Sequence, residues 1–213
     1  MKSHPRSAVR VVSTALLAMA LASCGQPTRN VSSPPSNPAA GTCPAATADR
    51  WATAAPTADS PGVRVPQPPA WDSVPELTTA AAPIVLRNMS LQQGNYAPAL
   101  TAVVGDSTNQ KTPQLLLDGS YKALTKNRTN AQLKSQQNTV VCGYPALTLN
   151  YSVDAAPGGP TQTVTALVVA PTVGAKLYTV AVTSVTTQPN DPIYQRDSQA
   201  MLNGTQVLAP TQR

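Results

Sequence analysis

The stretch Leu147-Thr148-Leu149-Asn150-Tyr151-Ser152-Val153-Asp154 decides the fold. Large apolar side chains fall on every second residue, and hydroxyl, amide or carboxylate groups fall between them. This period of two predicts a strand with one face buried and the other wetted. The residues that follow, Ala155-Ala156-Pro157-Gly158-Gly159-Pro160, are turn chemistry, so 163–170 should return antiparallel as the second arm of a hairpin. That arm is largely apolar through Val164, Leu167, Val168 and Val169. After a break at 171–174, residues 177–185 supply a third strand. Upstream, Ile84-Val85-Leu86 and Ala99-Leu100-Thr101-Ala102-Val103-Val104 read as further strands, the second ended by Gly105-Asp106.

Twice the period changes. Thr112 is placed to cap a helix with Pro113 at its first position, and Leu117, Tyr121 and Leu124 recur on one face, which predicts a helix over 113–127. Near the C-terminus, Asn190 or Asp191 caps a second helix begun by Pro192, with Tyr194 and Met201 on one face and Gly204 at its end. Strands and helices in this order predict an α+β domain. Phenylalanine is absent, so the core must be built from Leu, Val, Ile, Ala and Tyr. Val63 and Val65 begin a short strand leading into Pro66-Gln67-Pro68-Pro69-Ala70-Trp71, whose Trp reads as a core plug.

Ahead of that domain, residues 24–58 are dominated by Ser, Pro, Thr, Asn, Ala and Gly without hydrophobic periodicity. Such a segment cannot bury enough apolar area to fold alone and reads as a tether. Further upstream, residues 1–10 are basic and carry no carboxylate, and an apolar run over 11–22 follows them. This is the layout of a secretory signal. The run is about a dozen residues, too short for a permanent membrane-spanning helix, which needs roughly 20. At its end Leu21-Ala22-Ser23-Cys24-Gly25 resembles the bacterial lipobox. The resemblance implies removal of 1–23, lipidation of the Cys24 thiol, and residence of the domain (59–213) on the outer face of the cell membrane. Several acyl chains make a stable anchor where one binds only marginally.

Beyond Cys24 two cysteines remain, Cys43 and Cys142. In an extracytoplasmic compartment an even pair predicts a disulfide, the alternative being two inert thiols. No C-x-x-C spacing or neighbouring histidine points to redox or metal chemistry.

Composition narrows the chemistry. Of 15 basic residues, Lys2, Arg6 and Arg10 lie ahead of Cys24, leaving 12 against 9 acidic ones, scattered without a basic cluster. Nucleic acid is therefore not an expected partner. The one histidine, His4, leaves with the signal, so the mature chain has no imidazole for a catalytic triad, a general base near neutrality or a zinc site. The carboxylates, Asp49, Asp59, Asp72, Glu76, Asp106, Asp118, Asp154, Asp191 and Asp197, stand singly, mostly where caps and turns use them. Asp106-Ser107-Thr108-Asn109 lacks the spaced acidic ligands of a calcium loop. No phosphate loop, dinucleotide fingerprint or G-x-S-x-G occurs. No cofactor and no catalytic residue is expected.

The order of these features resembles the LpqN/LpqT lipoprotein family of mycobacteria. They are the lipobox, the proline-rich tether, the Val-x-Val-Pro-x-Pro-x-x-Trp entry at 63–71, Pro83-Ile84-Val85-Leu86, Asn95-Tyr96-Ala97-Pro98-Ala99-Leu100, the Thr-Pro helix and the closing meander and helix. The similarity spans roughly 60–210 and implies an antiparallel β-sheet flanked by helices, a PsbP-like α/β/α sandwich. It carries over no functional residues. Two non-catalytic readings stand open: a binding domain for an apolar or amphiphilic envelope molecule, and an adaptor for another envelope or host protein. A third, a hydrolase, would need a carboxylate pair assembled only in three dimensions.

Overall fold

The computed structural model describes residues 41–128, 130–154 and 159–210. Its elements are β1 (Trp51–Ala54), β2 (Gly62–Pro66), β3 (Asp72–Ser73), β4 (Ile84–Arg87), β5 (Ala99–Asp106), α1 (Pro113–Tyr121), β6 (Gln132–Val141), β7 (Tyr144–Asp154), β8 (Thr161–Val169), β9 (Thr172–Val173), β10 (Lys176–Thr186), α2 (Pro192–Asn203) and β11 (Gln206–Leu208). All pairings between named strands are antiparallel. The larger sheet runs β3-β4-β5-β10-β8-β7-β6 with β9 paired to β10, and a three-stranded sheet runs β1-β2-β11. The α+β architecture is thus an antiparallel sheet with α1 on one face and α2 with the small sheet on the other.

Central strands explain themselves by this double cover. On β8, Val164, Ala166 and Val168 join the core beneath Leu116 and Leu117 of α1. Leu167 and Val169 of the same strand join the opposite core with Val180, Val182, Tyr194 and Met201. A strand buried on both faces must be apolar almost throughout, as 164–169 are. Thr112 accepts a hydrogen bond from Leu115 N and Asp191 one from Tyr194 N, each just ahead of a proline at the first helical turn. After Tyr121 the helix widens into a π turn, Lys122–Lys126, so the helical run ends close to the expected 127.

Two expectations need correction. The polar face of β7 is not simply wetted: Ser152 is buried, Thr148 and Asn150 are half-covered, and Asn150 Nδ2 donates to Thr165 Oγ1 at 3.1 Å. This face turns towards α2, because Tyr144 and Ala146 at its start belong to the α2-side core. The expected tether, 24–58, also contains ordered chain. Trp51–Ala54 pairs with Val63–Pro66, and Arg50 Nη2 donates to the Trp71 carbonyl at 3.1 Å. Alternation over four residues in an Ala/Thr-rich context is too faint to register against that composition. Gly62 opens β2 because a Cβ there would meet Ala54 O at 2.5 Å.

Cys43 and Cys142 are disulfide-bonded across 99 residues. Cys142 and Gly143 form the two-residue loop between β6 and β7, both with positive φ (51° and 77°), the geometry of a type I′ hairpin turn. A non-glycine residue seldom adopts that conformation. The bond and the Gly41 N–H donated to Cys142 O at 2.9 Å fix residues 41–43 to this turn.

Burial raises the pKa of the Tyr194, Tyr151 and Tyr144 phenols above their ordinary 10.0. For Tyr194, the hydrogen bond with Ser184 Oγ at 3.0 Å offsets part of that rise. A raised folded-state pKa means stability that is complete below pH 10 and is lost as pH climbs through the folded-state values. The melting temperature should therefore fall above pH 10. In Tyr194→Phe the alkaline decline should be shallower, although leaving Ser184 unpartnered costs about 1–3 kcal/mol at neutral pH.

Candidate functional site

Met201 and Tyr194 commit one face of α2 to the core, and the adjacent face, Ser198, Gln199, Leu202 and Asn203, looks along the sheet. Opposite it lie Thr148 of β7 and Thr165 and Leu167 of β8, and Thr139, Val140 and Val141 of β6 close the far side. The result is a half-open groove of about 440 Å³ whose ten lining residues include no charged side chain. Hydroxyl and amide groups alternate with aliphatic ones, so the groove can accept an occupant with both apolar and hydrogen-bonding parts. A second depression, of about 610 Å³, runs beside Cys43 and β11 and is shallower. Its one charged group is already engaged: Arg64 donates to Gln206 Oε1 from Nε (2.8 Å) and Nη2 (2.6 Å) and stacks over Trp51 at 4.5 Å.

What orients α2 is a buried polar contact. Trp71 is fully buried, as its reading as a core plug expected, and its Nε1–H donates to Asp197 Oδ2 at 3.0 Å. Asp197 is itself 2% exposed, and its Oδ1 accepts from Arg196 Nε and Nη2, a largely exposed guanidinium. Gln67 Nε2 donates to the Trp71 carbonyl at 2.7 Å. Asp197 is thus a structural anchor in mid-helix, where spacing alone gave no sign of a partner 126 residues away.

The remaining carboxylates that can be traced serve local structure. The Thr108 side chain, and then Thr108 N donating at 2.8 Å, lower the pKa of Asp106; Asp118 accepts from Gln114 Nε2; Asp154 accepts from Thr161 Oγ1. Asp191 caps α2. Among the described residues no group of three His, Cys, Asp or Glu side chains could hold a metal ion. Asn88, the first residue of an Asn-x-Ser sequence, is fully buried and its Oδ1 accepts from Ser90 N, while Nδ2 has no partner among the described residues. Among the described residues no helix is long and apolar enough to cross a membrane. Cys24 and the expected signal segment, 1–23, lie outside the described residues.

A sheet covered by one helix on one face and by a helix and a small sheet on the other, with an uncharged groove at one corner, places the chain in a class of α+β sandwich proteins. Among solved structures it is similar to LpqN of Mycobacterium tuberculosis, described as involved in cell envelope biogenesis. The two are 17% identical, with 75% of this chain and 91% of that one covered and a TM-score of 0.62. The chain has the LpqN fold. Weaker likenesses are to cyanobacterial PsbP from Synechocystis (16% identical, 75% and 96% covered, TM-score 0.44) and to the Saccharomyces cerevisiae Ran-binding protein Mog1p (13%, 69% and 90%, TM-score 0.44). No protein-family model and no curated protein sequence matches.

Removing the indole donor should expose how much α2 depends on it. Trp71→Phe strands a buried carboxylate oxygen and should cost at least about 1–3 kcal/mol, seen as a lower denaturant midpoint. Asp197→Asn, which retains an acceptor oxygen, should be milder than Asp197→Ala.

Proposed function

We propose that this chain is a lipid-anchored protein of the cell envelope whose domain binds an uncharged apolar or amphiphilic envelope molecule in the β6–β8/α2 groove without converting it chemically. The groove's lining carries the reading: hydroxyls, amides and aliphatic groups, and no charge. An ionic ligand would lose its hydration there and find no countercharge. The lipobox at Leu21–Gly25 and the envelope role given to LpqN support the location. The Cys43–Cys142 disulfide fits an oxidising compartment. Carboxylates occupied as caps, turn acceptors and a buried anchor, together with the loss of His4, support a role without catalysis.

Native mass spectrometry of the full chain extracted from its membrane should find a co-purifying non-protein mass. Leu202→Glu, which sets a carboxylate on the half-buried wall of α2, should remove that mass while leaving the fold intact by circular dichroism. An unliganded wild-type chain, or a ligand retained unchanged by the variant, would sink the groove assignment. A bound polypeptide in its place would move the reading to an adaptor. Separately, Cys24→Ser should leave uncleaved precursor or release the domain from the membrane fraction. Correctly processed, membrane-bound protein in that variant would refute the anchor.

A further inference from the structure

The two edges of the large sheet are unequal. At one end β3 contributes two residues, too short to template another strand. At the other, β6 is ten residues long, is bonded among the described residues to β7 on one side only, and is exposed from Gln132 to Asn138. Edges of this kind are normally blunted by charge, proline or an irregularity. On β6 those devices gather in the first half, where the register shifts between Leu133 and Ser135 and Lys134 is the extra residue. From Ser135 to Val141 the sequence Ser-Gln-Gln-Asn-Thr-Val-Val holds no charge, no proline and no second shift.

We propose that this edge pairs antiparallel with the same edge of a second copy of the chain, about a two-fold axis at Asn138. An antiparallel edge is complementary to itself, and this register sets Ser135 against Val141, Gln136 against Val140 and Gln137 against Thr139. No like charges meet. The two Lys134 side chains fall beyond opposite ends of the paired run, on the order of 25 Å apart at about 3.3 Å per residue. Registers centred nearer Lys134 would bring the irregularity between Leu133 and Ser135 into the pairing, where a bulged strand breaks the ladder; the Lys134 ammonium itself reaches back across β7 to donate to Thr163 Oγ1 at 3.2 Å. The register is therefore selected by the same residue that blunts the rest of the edge. Because β3 is too short to pair, the assembly closes at two copies.

Joining the sheets this way would also extend the groove. Gln137, Thr139 and Val141 stand opposite Thr148, Ala146 and Tyr144, on the face turned to α2. A two-fold perpendicular to the sheet keeps that face on the same side in both copies. The second copy's Gln137, set against Thr139, would continue the groove's outer rim, and the two grooves would open onto one trough. The pairing itself requires no ligand.

The test uses the full chain in detergent. Asn138 lies on the axis and is exposed, so Asn138→Cys should give a band of twice the chain mass on a non-reducing gel after mild oxidation. Ser135→Cys, which faces Val141, should give none. Asn138→Lys and Asn138→Asp should each be monomeric by size, and mixing the two should restore a dimer made of one of each. Melting temperatures near that of the unaltered chain would show the fold retained in all four variants. A monomeric unaltered chain, equal cross-linking at 135 and 138, or a dimer indifferent to charge at 138 would overturn the proposal, whether or not the edge accepts a strand from another protein.

Discussion

The hydrogen bond from the Trp71 indole to Asp197 ties together parts that share no sequence neighbourhood. Trp71 follows Ala70, whose φ of 64° turns the chain sharply after a proline-rich entry, so the indole enters the core at one definite angle. The carboxylate that receives it is buried in mid-helix, and burying it without partners would cost more than one ordinary hydrogen bond returns. Satisfying it from the indole on one side and from Arg196 at the rim on the other allows α2 a single rotation about its axis. That rotation commits Met201 and Tyr194 to the core and leaves Ser198, Gln199, Leu202 and Asn203 facing the groove.

The groove then follows from a mismatch of extents. Seven strands about 4.8 Å apart make a sheet roughly 30 Å across, whereas α2, at twelve residues and about 1.5 Å each, is roughly 18 Å long and one helix wide. The small sheet covers the β4–β5 end, through contacts of β1 with β4 and of β2 with β5. On that face, among the described residues, the layer stops short of β6. Side chains at the uncovered corner must tolerate water, so threonines, a serine and amides stand there beside aliphatic groups.

Sequence made the central architecture legible because periodicity reports burial. The strands expected at 84–86, 99–104, 147–153, 163–170 and 177–185 fall on β4, β5, β7, β8 and β10, and the two proline-initiated helices and their caps, the Cys43–Cys142 pair and the buried Trp71 could likewise be read from residue type and spacing, whereas β9 lies in what read as a break. Three parts were hidden for physical reasons. β6 is exposed along most of its length, so Gln132–Val141 carries no burial pattern to detect. β1 and β11 are only four and three residues long and gain their order from pairing with β2. The groove combines residues of three strands and a helix separated by about 60 positions, and its polar strand face is indistinguishable in sequence from one that meets bulk water.

The small sheet sets the order in which the chain can reach its native state. β2 lies between β1, eleven residues earlier, and β11, whose Gln206 pairs with Arg64 across 142 residues. A chain threaded outward from its N-terminus presents β1 and β2 long before β11 exists, whereas the β7–β8–β10 meander can close locally soon after it emerges. The ends of the domain are therefore its last part to assemble. Until β11 arrives, one edge of β2 stays open, and an unpaired strand edge is the surface on which transient association begins.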